Sequence, residues 1–212
     1  DSFTLNGKKT FVLDGHVADK LIVVARTSGE AADRDGISLF LVDREADGVN
    51  VIRTMMADSR NAANIELSNV SVSSDAMIGE LGKGADVLDP ALDIARIGIS
   101  AEMLGSLQEC FERTVDYLKE RKQFGVAIGS FQALKHRAAN MFCEIELSKS
   151  CVLEALTALE EDRDAEEVSK LASLTKAKVG ETFNLVSREG IQMHGGIGMT
   201  DEFDIGFFIK RA

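Results

Sequence analysis

The chain has 212 residues, 45% of them hydrophobic, and a formal net charge of −11, with one Pro, one Tyr and no Trp. This size and apolar content suffice for one large buried core or two small ones. The negative charge disfavours a protein that binds nucleic acid, because binding to phosphates needs a basic surface. It fits a solvated cytosolic surface, on which an anionic ligand would need locally placed arginine or lysine side chains.

The cysteine and histidine residues indicate neither a disulfide framework nor a metal site. The three cysteines lie in helical patterns without a CxxC pair, which is typical of free thiols in a reducing compartment. The three histidines lack the spacing of metal ligands. No apolar run is long enough to predict a membrane span. These residues are Cys110, Cys143 and Cys151, and His16, His136 and His194.

The first part of the chain carries patterns typical of β-strands. Asn6-Gly7 lies between two strand-like runs and favours a tight hairpin turn. Polar residues 27–36 predict a loop. Short strands at this spacing predict a small antiparallel β-barrel or sandwich. The predicted strands are Phe3–Leu5, Thr10–Leu13, Leu21–Ala25, Ile37–Val42, Val49–Arg53 and Asn64–Val72.

A glycine-rich segment, Gly79–Gly84, separates this pattern from a helical one and predicts a domain junction. It contains Gly-Lys but lacks the following Ser or Thr and the glycine spacing of a phosphate-binding loop, so a linker is the favoured interpretation. The sequence therefore predicts a β domain over residues 1–82 and a helical domain over residues 83–212, which is an α+β architecture.

Beyond the junction, apolar residues recur every three or four positions in three stripes, which predicts three long helices. Pro90 lies near the start of the first helix, where a proline is tolerated. Three antiparallel helices and a short remainder predict an up-down bundle that lacks its fourth member. The stripes are Leu92, Ala95, Ile99, Met103, Leu107, Phe111, Val115 and Leu118; Leu134, Ala138, Met141, Ile145, Val152, Leu156 and Leu159; and Val168, Leu171, Thr175, Val179, Phe183 and Val186.

The segment Arg121–Gln132 interrupts the first two helices with a fixed cation, two aromatic residues and two glycines. An arginine fork suits a pyrophosphate, and glycines let the backbone approach a ligand. On composition alone, however, a charged helix–helix turn is the simpler interpretation. The aromatic residues are Phe124 and Phe131, and the glycines are Gly125 and Gly129.

The segment Gln192–Gly198 follows the third helix and carries three glycines in four residues. A helix end explains one glycine, while three suggest a backbone that packs against something flat or bulky. The segment is not a dinucleotide fingerprint, which needs a preceding strand and a following helix. His194 within it is more often a packed or capping side chain than a catalyst.

These two segments resemble motifs of the acyl-CoA dehydrogenase family, R-x-x-F-G-x-x-I-x-x-F/H-Q and Q-x-x-G-G-x-G, in the same order. Asn6–Lys9, Ala18-Asp19, Gly36–Ser38 and Gly79 are similar to the family's middle β domain. The resemblance thus covers essentially the whole chain. It implies an FAD-dependent oxidoreductase of fatty acid or other lipid metabolism, which oxidises an acyl-CoA to its trans-2-enoyl-CoA and passes electrons to an electron-transfer flavoprotein.

The resemblance also implies a location and an assembly. The location is the bacterial cytoplasm or the mitochondrial matrix, and the assembly is a homo-oligomer (a dimer of dimers) or a hetero-tetramer. FAD would be shared between subunits at its nucleotide end. Carried over by motif position, its pyrophosphate would meet Arg121 and Phe124, with Phe131 and Gln132 against the same cofactor, and its adenosine would meet Gln192, Gly195 and Gly196.

At the reacting end, the resemblance places Phe11 and Leu13 in the flavin-contacting strand and Arg96 beside the acyl-thioester pocket. The family usually has Trp-Ile-Thr in that strand. Phe11 can still cover a ring face by its apolar area, but Leu13 cannot donate the hydrogen bond that Thr would offer.

The missing catalytic base is the larger departure from the family pattern, because the chemistry needs a carboxylate within hydrogen-bond reach of the α-proton. Most members place this Glu a few residues beyond the position of Ala212. Others place it on the first long helix, at a position that matches Ala95. We interpret Asp201, Glu202 and Asp204 as solvated loop charges. The base is therefore expected beyond Ala212, unless the protein uses a different one.

Two alternatives stay open at this point. The protein could be a non-catalytic subunit that completes a hetero-oligomer, which Leu13 and Ala95 favour slightly, or a family member with oxidase-type chemistry. The resemblance implies that a Glu or Asp about seven residues after Ala212 would favour the enzyme, since it could act as the general base, and that its absence would favour the subunit.

Overall fold

The computed structural model describes residues 2–212, which form two compact units that divide between Asp89 and Pro90. The predicted domain boundary after residue 82 stays a prediction. None of the helices within residues 2–212 is long and apolar enough to cross a membrane. The same residues contain no cluster of three or more His, Cys, Asp or Glu side chains arranged to hold a metal ion.

The first unit is an open β-sandwich, the second of the two predicted alternatives. Its two antiparallel sheets have the strand orders β1-β5-β4 and β2-β3-β6. Apolar residues of both sheets pack into one core around Phe40 and Val70, which are fully buried. The strands are β1 Ser2–Leu13, β2 Lys20–Arg26, β3 Ile37–Asp43, β4 Val49–Met55, β5 Asn61–Ser73 and β6 Met77–Ile78.

The predicted hairpin at Asn6-Gly7 is wrong, because β1 runs without reversal from Ser2 to Leu13. The pairing with β5 shifts register there, and Gly7, at φ +147°, absorbs the irregularity. The Asn6 Oδ1 atom accepts a hydrogen bond of 2.8 Å from the backbone N–H of Asn69 on β5. A long partner strand thus converts a turn-forming dipeptide into a β-bulge.

The second unit contains the three predicted long helices. Asp164 caps the third, since its side chain accepts hydrogen bonds from the backbone N–H groups of Glu166 and Glu167. The elements are α1 Gly84–Glu120, β7 Lys122–Gln123, β8 Val126–Ala127, α2 Gln132–Glu160, α3 Ala165–His194 and α4 Ile205–Arg211. The first residues of α1 belong to the first unit.

The start of α1 differs from the prediction, because Pro90 lies inside the helix rather than in its first turn. The chain turns at Gly82, with φ +77°, and Gly84 packs so closely on β3 that a Cβ there would lie 2.9 Å from the carbonyl oxygen of Ile37. The helix therefore begins before the proline. Pro90 has no N–H for the helical ladder, and the two units divide at this point.

The buried face of α1 also departs from the predicted stripe in its first half. Leu92 and Ala95 are exposed there, whereas Asp93, Ile97 and Ser100 are buried. Ile97 packs with Ala155 of α2 and Ala172 of α3, and the second half of α1 joins a larger core with both helices. The predicted periodicity is correct for the second half of α1, but it did not predict that the carboxylate of Asp93 is buried.

The three cysteines are free, as predicted, but only Cys110 and Cys151 are buried or half-buried, whereas Cys143 is exposed. Cys110 lies in the core, where burial raises the pKa of its thiol to about 12, so it packs as a small apolar residue. Polar contacts fix α2 against α3. The Ser148 hydroxyl donates to the Thr182 hydroxyl at 2.9 Å, and Arg137 pairs with Glu189 at 2.5 Å.

Candidate functional site

The segment Arg121–Gln132 folds into a hairpin of β7 and β8 with Phe124 and Gly125 at its tip. Both tip residues have positive φ, +57° and +80°, as a two-residue type I′ turn requires. Phe124 is 91% exposed. A bulky aromatic residue in the left-handed region is a strained exception, and such strain often marks a binding site.

Arg121 leads into this hairpin with a charge that no carboxylate of the described chain neutralises. It is exposed and forms no ion pair with any of residues 2–212. Arg113 and Arg163, by contrast, each pair with acidic side chains. In a protein of net charge −11, an unpaired arginine of this kind is available to an anion from outside the chain.

Phe131 and Gln132 lie at the far end of the same segment. Phe131 is 39% exposed and meets Phe124 edge-to-face, with ring centroids 6.1 Å apart. Gln132 is exposed and begins α2. Gly129 differs from the sequence interpretation, since a Cβ there would lie 2.8 Å from the carbonyl oxygen of Leu118. Its role is therefore close packing on α1, not an approach to a ligand.

The segment Gln192–Gly198 spans the end of α3 and a 3₁₀ turn, and its glycines have different causes. Gly195 has φ +67° and closes the helix. At Gly198 a Cβ would lie 2.7 Å from the carbonyl oxygen of Ile191. Gly196 has neither constraint, because its φ is ordinary and a Cβ would meet nothing within 4 Å. Gln192 and Gly196 are not buried, so an external group can approach them.

His194 in this segment is a packed side chain. It is 4% exposed, and its Nδ1–H donates to the carbonyl oxygen of Gly190 at 2.6 Å. Its ring stacks on Tyr117 with centroids 4.2 Å apart, and the Tyr117 hydroxyl donates to the His194 carbonyl oxygen at 3.2 Å. Burial lowers the pKa of His194, which favours the neutral ring.

A cavity of about 350 Å³ lies beside this ring cluster. Four carboxylate-bearing residues and one arginine are among its lining residues, so its charge disfavours a phosphate. Asp204, which lines the cavity, pairs with Arg113 at 3.4 Å, and Asp201, which is exposed, pairs with Lys210 at 3.9 Å. The carboxylates that line the cavity are those of Asp116, Glu120, Glu202 and Asp204.

Phe11 and Leu13 project from the C-terminal half of β1 in the first unit. They are 65% and 68% exposed, while Val12 between them is half-buried. A second register shift between Lys9 and Val12 places Phe11 at φ +52°, and its N–H donates to the Asn64 side chain at 3.3 Å. The bulge thus presents two large apolar side chains to the outside, a surface that suits a flat aromatic ring.

Leu13 also lines an apolar cavity of about 300 Å³ between β1 and β2. A larger cavity of about 620 Å³ continues along the same two strands. The Lys9 ammonium crosses between the strands and donates to the Val24 carbonyl oxygen at 2.6 Å.

Arg96 lies on α1, next to the exposed Ala95. Its Nη1 donates to the Asp93 Oδ1 at 2.5 Å, with side-chain exposures of 43% for the arginine and 8% for the aspartate. The sequence interpretation singled out Arg96 but missed its partner. The three-residue spacing between Asp93 and Arg96 can be seen in the sequence, but the burial of Asp93 cannot.

Comparisons with known proteins agree with this arrangement. Residues 82–212 match the family model for the acyl-CoA dehydrogenase C-terminal domain, and residues 1–70 match that for the middle domain. The bovine mitochondrial short/branched chain specific acyl-CoA dehydrogenase is 31% identical over 100% of this chain and 49% of its own length. The caffeyl-CoA reductase-Etf complex subunit CarC of Acetobacterium woodii is 31% identical over 97% of this chain and 54% of its own length.

Solved structures show the same fold. Butyryl-CoA dehydrogenase from Megasphaera elsdenii superposes with a TM-score of 0.90 at 27% identity, covering 99% of this chain and 54% of that one. A Tcur3481-Tcur3483 steroid ACAD variant superposes at 0.83 with 33% identity, covering 99% and 54%. The chain thus spans about half the length of the relatives it matches. By the match over both of its units, the chain belongs to the acyl-CoA dehydrogenase family.

Proposed function

We propose that the protein oxidises an acyl-CoA thioester to the trans-2-enoyl-CoA, with FAD as its cofactor. One observation carries the proposal: the side chains at the two family motifs are accessible and have no ionic partner in the described chain. Arg121, Phe124 and Gln192 are the main examples. An exposed charge without an ion-pair partner and an exposed large aromatic side chain, both at positions that match the family motifs, suit the binding of an external dinucleotide.

The residues present fit FAD at both of its ends. Arg121 would bind the pyrophosphate through its guanidinium, and Phe124 would cover the adjoining groups. Gln192 would bind the adenosine, whose close approach the open space at Gly196 permits. The remaining contacts at this end would come from Phe131, Gln132 and Gly195.

The flavin ring would lie against the apolar surface of Phe11 and Leu13, where only backbone groups could replace the hydrogen bond that a threonine would donate. The redox chemistry at this site, acceptance of the β-hydrogen of the substrate as hydride, would be supplied by FAD. The chain's own residues bind and orient the reactants. Since a neighbouring subunit would complete each site, FAD binding and assembly would be thermodynamically linked.

The proposed contact with substrate is Arg96, whose partly exposed guanidinium would border the acyl-thioester group. Proton abstraction from the α-carbon needs a carboxylate. Ala95 cannot supply it, and we interpret Asp201, Glu202 and Asp204, which are all exposed, as solvated charges just before α4. We therefore propose that the base lies outside residues 1–212.

The names of relatives support an electron-transfer flavoprotein as the redox partner. One relative is a subunit of a caffeyl-CoA reductase-Etf complex, and a similar structure, with a TM-score of 0.90 at 27% identity, was described in work on the electron transferring flavoprotein of Acidaminococcus fermentans. We propose a tetrameric enzyme of lipid metabolism in the bacterial cytoplasm or the mitochondrial matrix.

A non-catalytic subunit of a hetero-oligomer is the second candidate. Leu13 and Ala95 favour it, because each replaces a residue that could take part in the reaction. The name of a structure that is 33% identical, a Tcur3481-Tcur3483 steroid ACAD variant, carries two designations, and we take this as support for a two-chain assembly. In that case the chain would still hold FAD, but activity would need the partner chain.

Anaerobic titration of the full-length, FAD-loaded protein with a panel of acyl-CoAs tests these proposals. Bleaching of the flavin by one class of acyl-CoA is the expected result. Bleaching only after a partner subunit is added would identify the non-catalytic candidate. Rapid reoxidation of the bleached flavin when O₂ is then admitted would identify an oxidase. Enoyl-CoAs belong in the panel, with the flavin reduced beforehand, because two relatives are named reductases. A protein that purifies without flavin and takes up none would overturn the proposal.

A further inference from the structure

We infer that the cavity lined by the ends of α1 and α3 and the start of α4 binds an alkylammonium or alkylguanidinium group. Its volume of about 350 Å³ lies at the lower end of the range for small-ligand pockets. The two family motifs assign no role to this cavity, and the inference does not depend on the proposed function. The lining residues are Arg113, Asp116, Tyr117 and Glu120 of α1, His194 of α3, and residues 202–205.

Two carboxylates of the lining are free of ion pairs. Glu120 and Glu202 are exposed, and neither forms an ion pair with any of residues 2–212. The other two carboxylates of the lining each have a basic partner, at distances of 2.9 Å and 3.4 Å. The cavity therefore keeps an excess of negative charge, and a concave surface of one sign attracts ions of the opposite sign.

His194 adds a hydrogen-bond acceptor to this cavity. Its Nδ1 lies 2.6 Å from the Gly190 carbonyl oxygen, which can only accept, so Nδ1 carries the proton. Burial lowers the pKa of His194 and favours the neutral ring, in which Nε2 has a free lone pair. The Nε2 atom has no hydrogen-bond partner within residues 2–212 and is not sealed from solvent. Because the residue is only 4% exposed, this acceptor needs a donor from outside the described chain.

The aromatic rings beside this acceptor also suit a cation. Tyr117 stacks on the His194 ring with centroids 4.2 Å apart, and Phe203 lies 5.8 Å from Tyr117 and 5.2 Å from His194. The Tyr117 hydroxyl donates its proton to the His194 carbonyl oxygen, so its own oxygen keeps lone pairs toward other donors. Ammonium and guanidinium groups are attracted to the faces of such rings. Rings and carboxylates together therefore favour an organic cation.

Other classes of ligand fit the cavity less well. A metal ion needs converging ligands, and residues 2–212 contain no cluster of three or more His, Cys, Asp or Glu side chains arranged to hold one. An anion would meet four carboxylates and a single guanidinium, that of Arg113, whose donors are directed to Glu109 and Asp204. A ligand with several N–H donors and a dispersed positive charge matches the acceptors, the charge and the rings at once.

A group of this chemistry has two sources. One is a small amine or guanidine in solution, and the other is a lysine or arginine side chain of a second copy of this chain. The contacts inside the cavity are the same for both, because each presents the same N–H donors on an alkyl stem. The experiments therefore have one arm for each source.

The first arm is calorimetric titration of the full-length, FAD-loaded protein with agmatine, which carries a guanidinium and an ammonium group. We expect one agmatine per chain and weaker binding as NaCl is added, because salt screens the attraction. Glu202→Gln should weaken binding by about 2- to 5-fold, the range of exposed ion pairs. His194→Phe should weaken it by about tenfold, since a hydrogen bond from a charged donor is lost. Glu112→Gln, which changes an exposed carboxylate of α1 outside the cavity, is the control.

The second arm measures association of the subunits by sedimentation over a range of protein concentrations. If a basic side chain of a second copy occupies the cavity, agmatine should not bind to the oligomer. The double variant Glu120→Gln/Glu202→Gln should then raise the dissociation constant of the oligomer by about 2- to 5-fold per carboxylate. Glu112→Gln should leave it unchanged, and FAD content should stay at the wild-type level in the carboxylate variants.

Two results would overturn the inference. One is the absence of agmatine binding together with wild-type association of the double variant. The other is agmatine binding of equal strength in the wild type, Glu202→Gln and His194→Phe, because such binding would be to the surface of a protein of net charge −11 in general. If His194→Phe does not fold, the carboxylate variants decide. Neither arm uses an acyl-CoA, so failure here would leave the proposed function intact.

Discussion

Arg121 and Arg96 belong to the same helical unit, but the fold treats their charges in opposite ways. Arg121 stands at the base of an exposed hairpin, with no ion pair to any of residues 2–212. Arg96 is held at 2.5 Å by the buried Asp93. A free guanidinium is available to a pyrophosphate, whereas a neutralised one can only orient and donate. We therefore propose that the two arginines serve different ends of the reacting complex.

The two glycines of the second motif repeat this contrast. Gly198 is required by the fold, because a side chain would collide with the carbonyl oxygen of Ile191. Gly196 has open space around it and an ordinary φ, so the described chain gives no reason for a glycine there. Residues that the chain itself does not explain are the ones expected to meet a cofactor or a second subunit.

The largest expected effect comes from removing the free charge. Arg121→Gln should weaken FAD binding by about 10- to 100-fold, because charge-assisted hydrogen bonds contribute about 1.5–3 kcal/mol. Its unfolding temperature without FAD should match that of the wild type. Fluorescence titration of the apoprotein with FAD measures the change, and Lys119→Gln, which removes a nearby exposed charge, is the control. Equal FAD affinities for Arg121→Gln and Lys119→Gln would contradict the assignment.

Gly198→Ala should lower the free energy of unfolding by about 1–3 kcal/mol, as overpacking usually does. A Cβ at this position would lie 2.7 Å from a backbone oxygen that cannot move without distorting α3. Chemical denaturation of the apoprotein measures the loss. A variant as stable as the wild type would show that the end of α3 relaxes easily, and the contrast with Gly196 would then disappear.

Gly196→Ala should have the reverse pattern, with unchanged stability of the apoprotein and an FAD affinity that is lower by up to about tenfold, or about 1.4 kcal/mol. The added methyl group would meet nothing within the chain but would occupy the space into which the adenosine is proposed to fit. The same titration and denaturation measurements apply. A loss of stability without a loss of FAD affinity would reverse our interpretation of this glycine.

The smallest expected effect concerns pH. Burial lowers the pKa of His194 in the folded chain, so the unfolded chain binds a proton at a higher pH than the folded one. Stability should therefore fall as pH decreases from the unfolded pKa of about 6.5 toward the lower folded value. A His194→Phe variant keeps the ring contacts with Tyr117 and Phe203 but should lack this part of the pH dependence. Thermal unfolding between pH 7 and 5 measures it, and parallel curves would contradict the account.

Much of the fold could be predicted because periodicity and turn chemistry are local signals. They located the three long helices and most of the strands. They failed where a partner element decided the outcome. The long strand β5 turned Asn6-Gly7 into a bulge, and packing of Gly84 on β3 started α1 before Pro90.

The site was predictable only in part for the same reason. Motif resemblance predicts Arg121 and Gln192 as site residues, and both side chains are exposed in the structure. It could not identify Asp93, since the burial of a polar residue depends on which neighbouring helices cover it. It also could not separate Gly129, which the packing on Leu118 requires, from glycines that leave room for a ligand.

Our central proposal is that one FAD would be bound by the apolar surface of Phe11 and Leu13 from one subunit and by the motifs around Arg121 from another. Two full-length variants, Leu13→Asp and Arg121→Glu, should each retain little FAD when expressed alone. When they are co-expressed with different affinity tags and purified as mixed oligomers, FAD should return, because some sites would then join an intact apolar surface to an intact arginine. Mixed oligomers that hold no more FAD than either parent would contradict the claim.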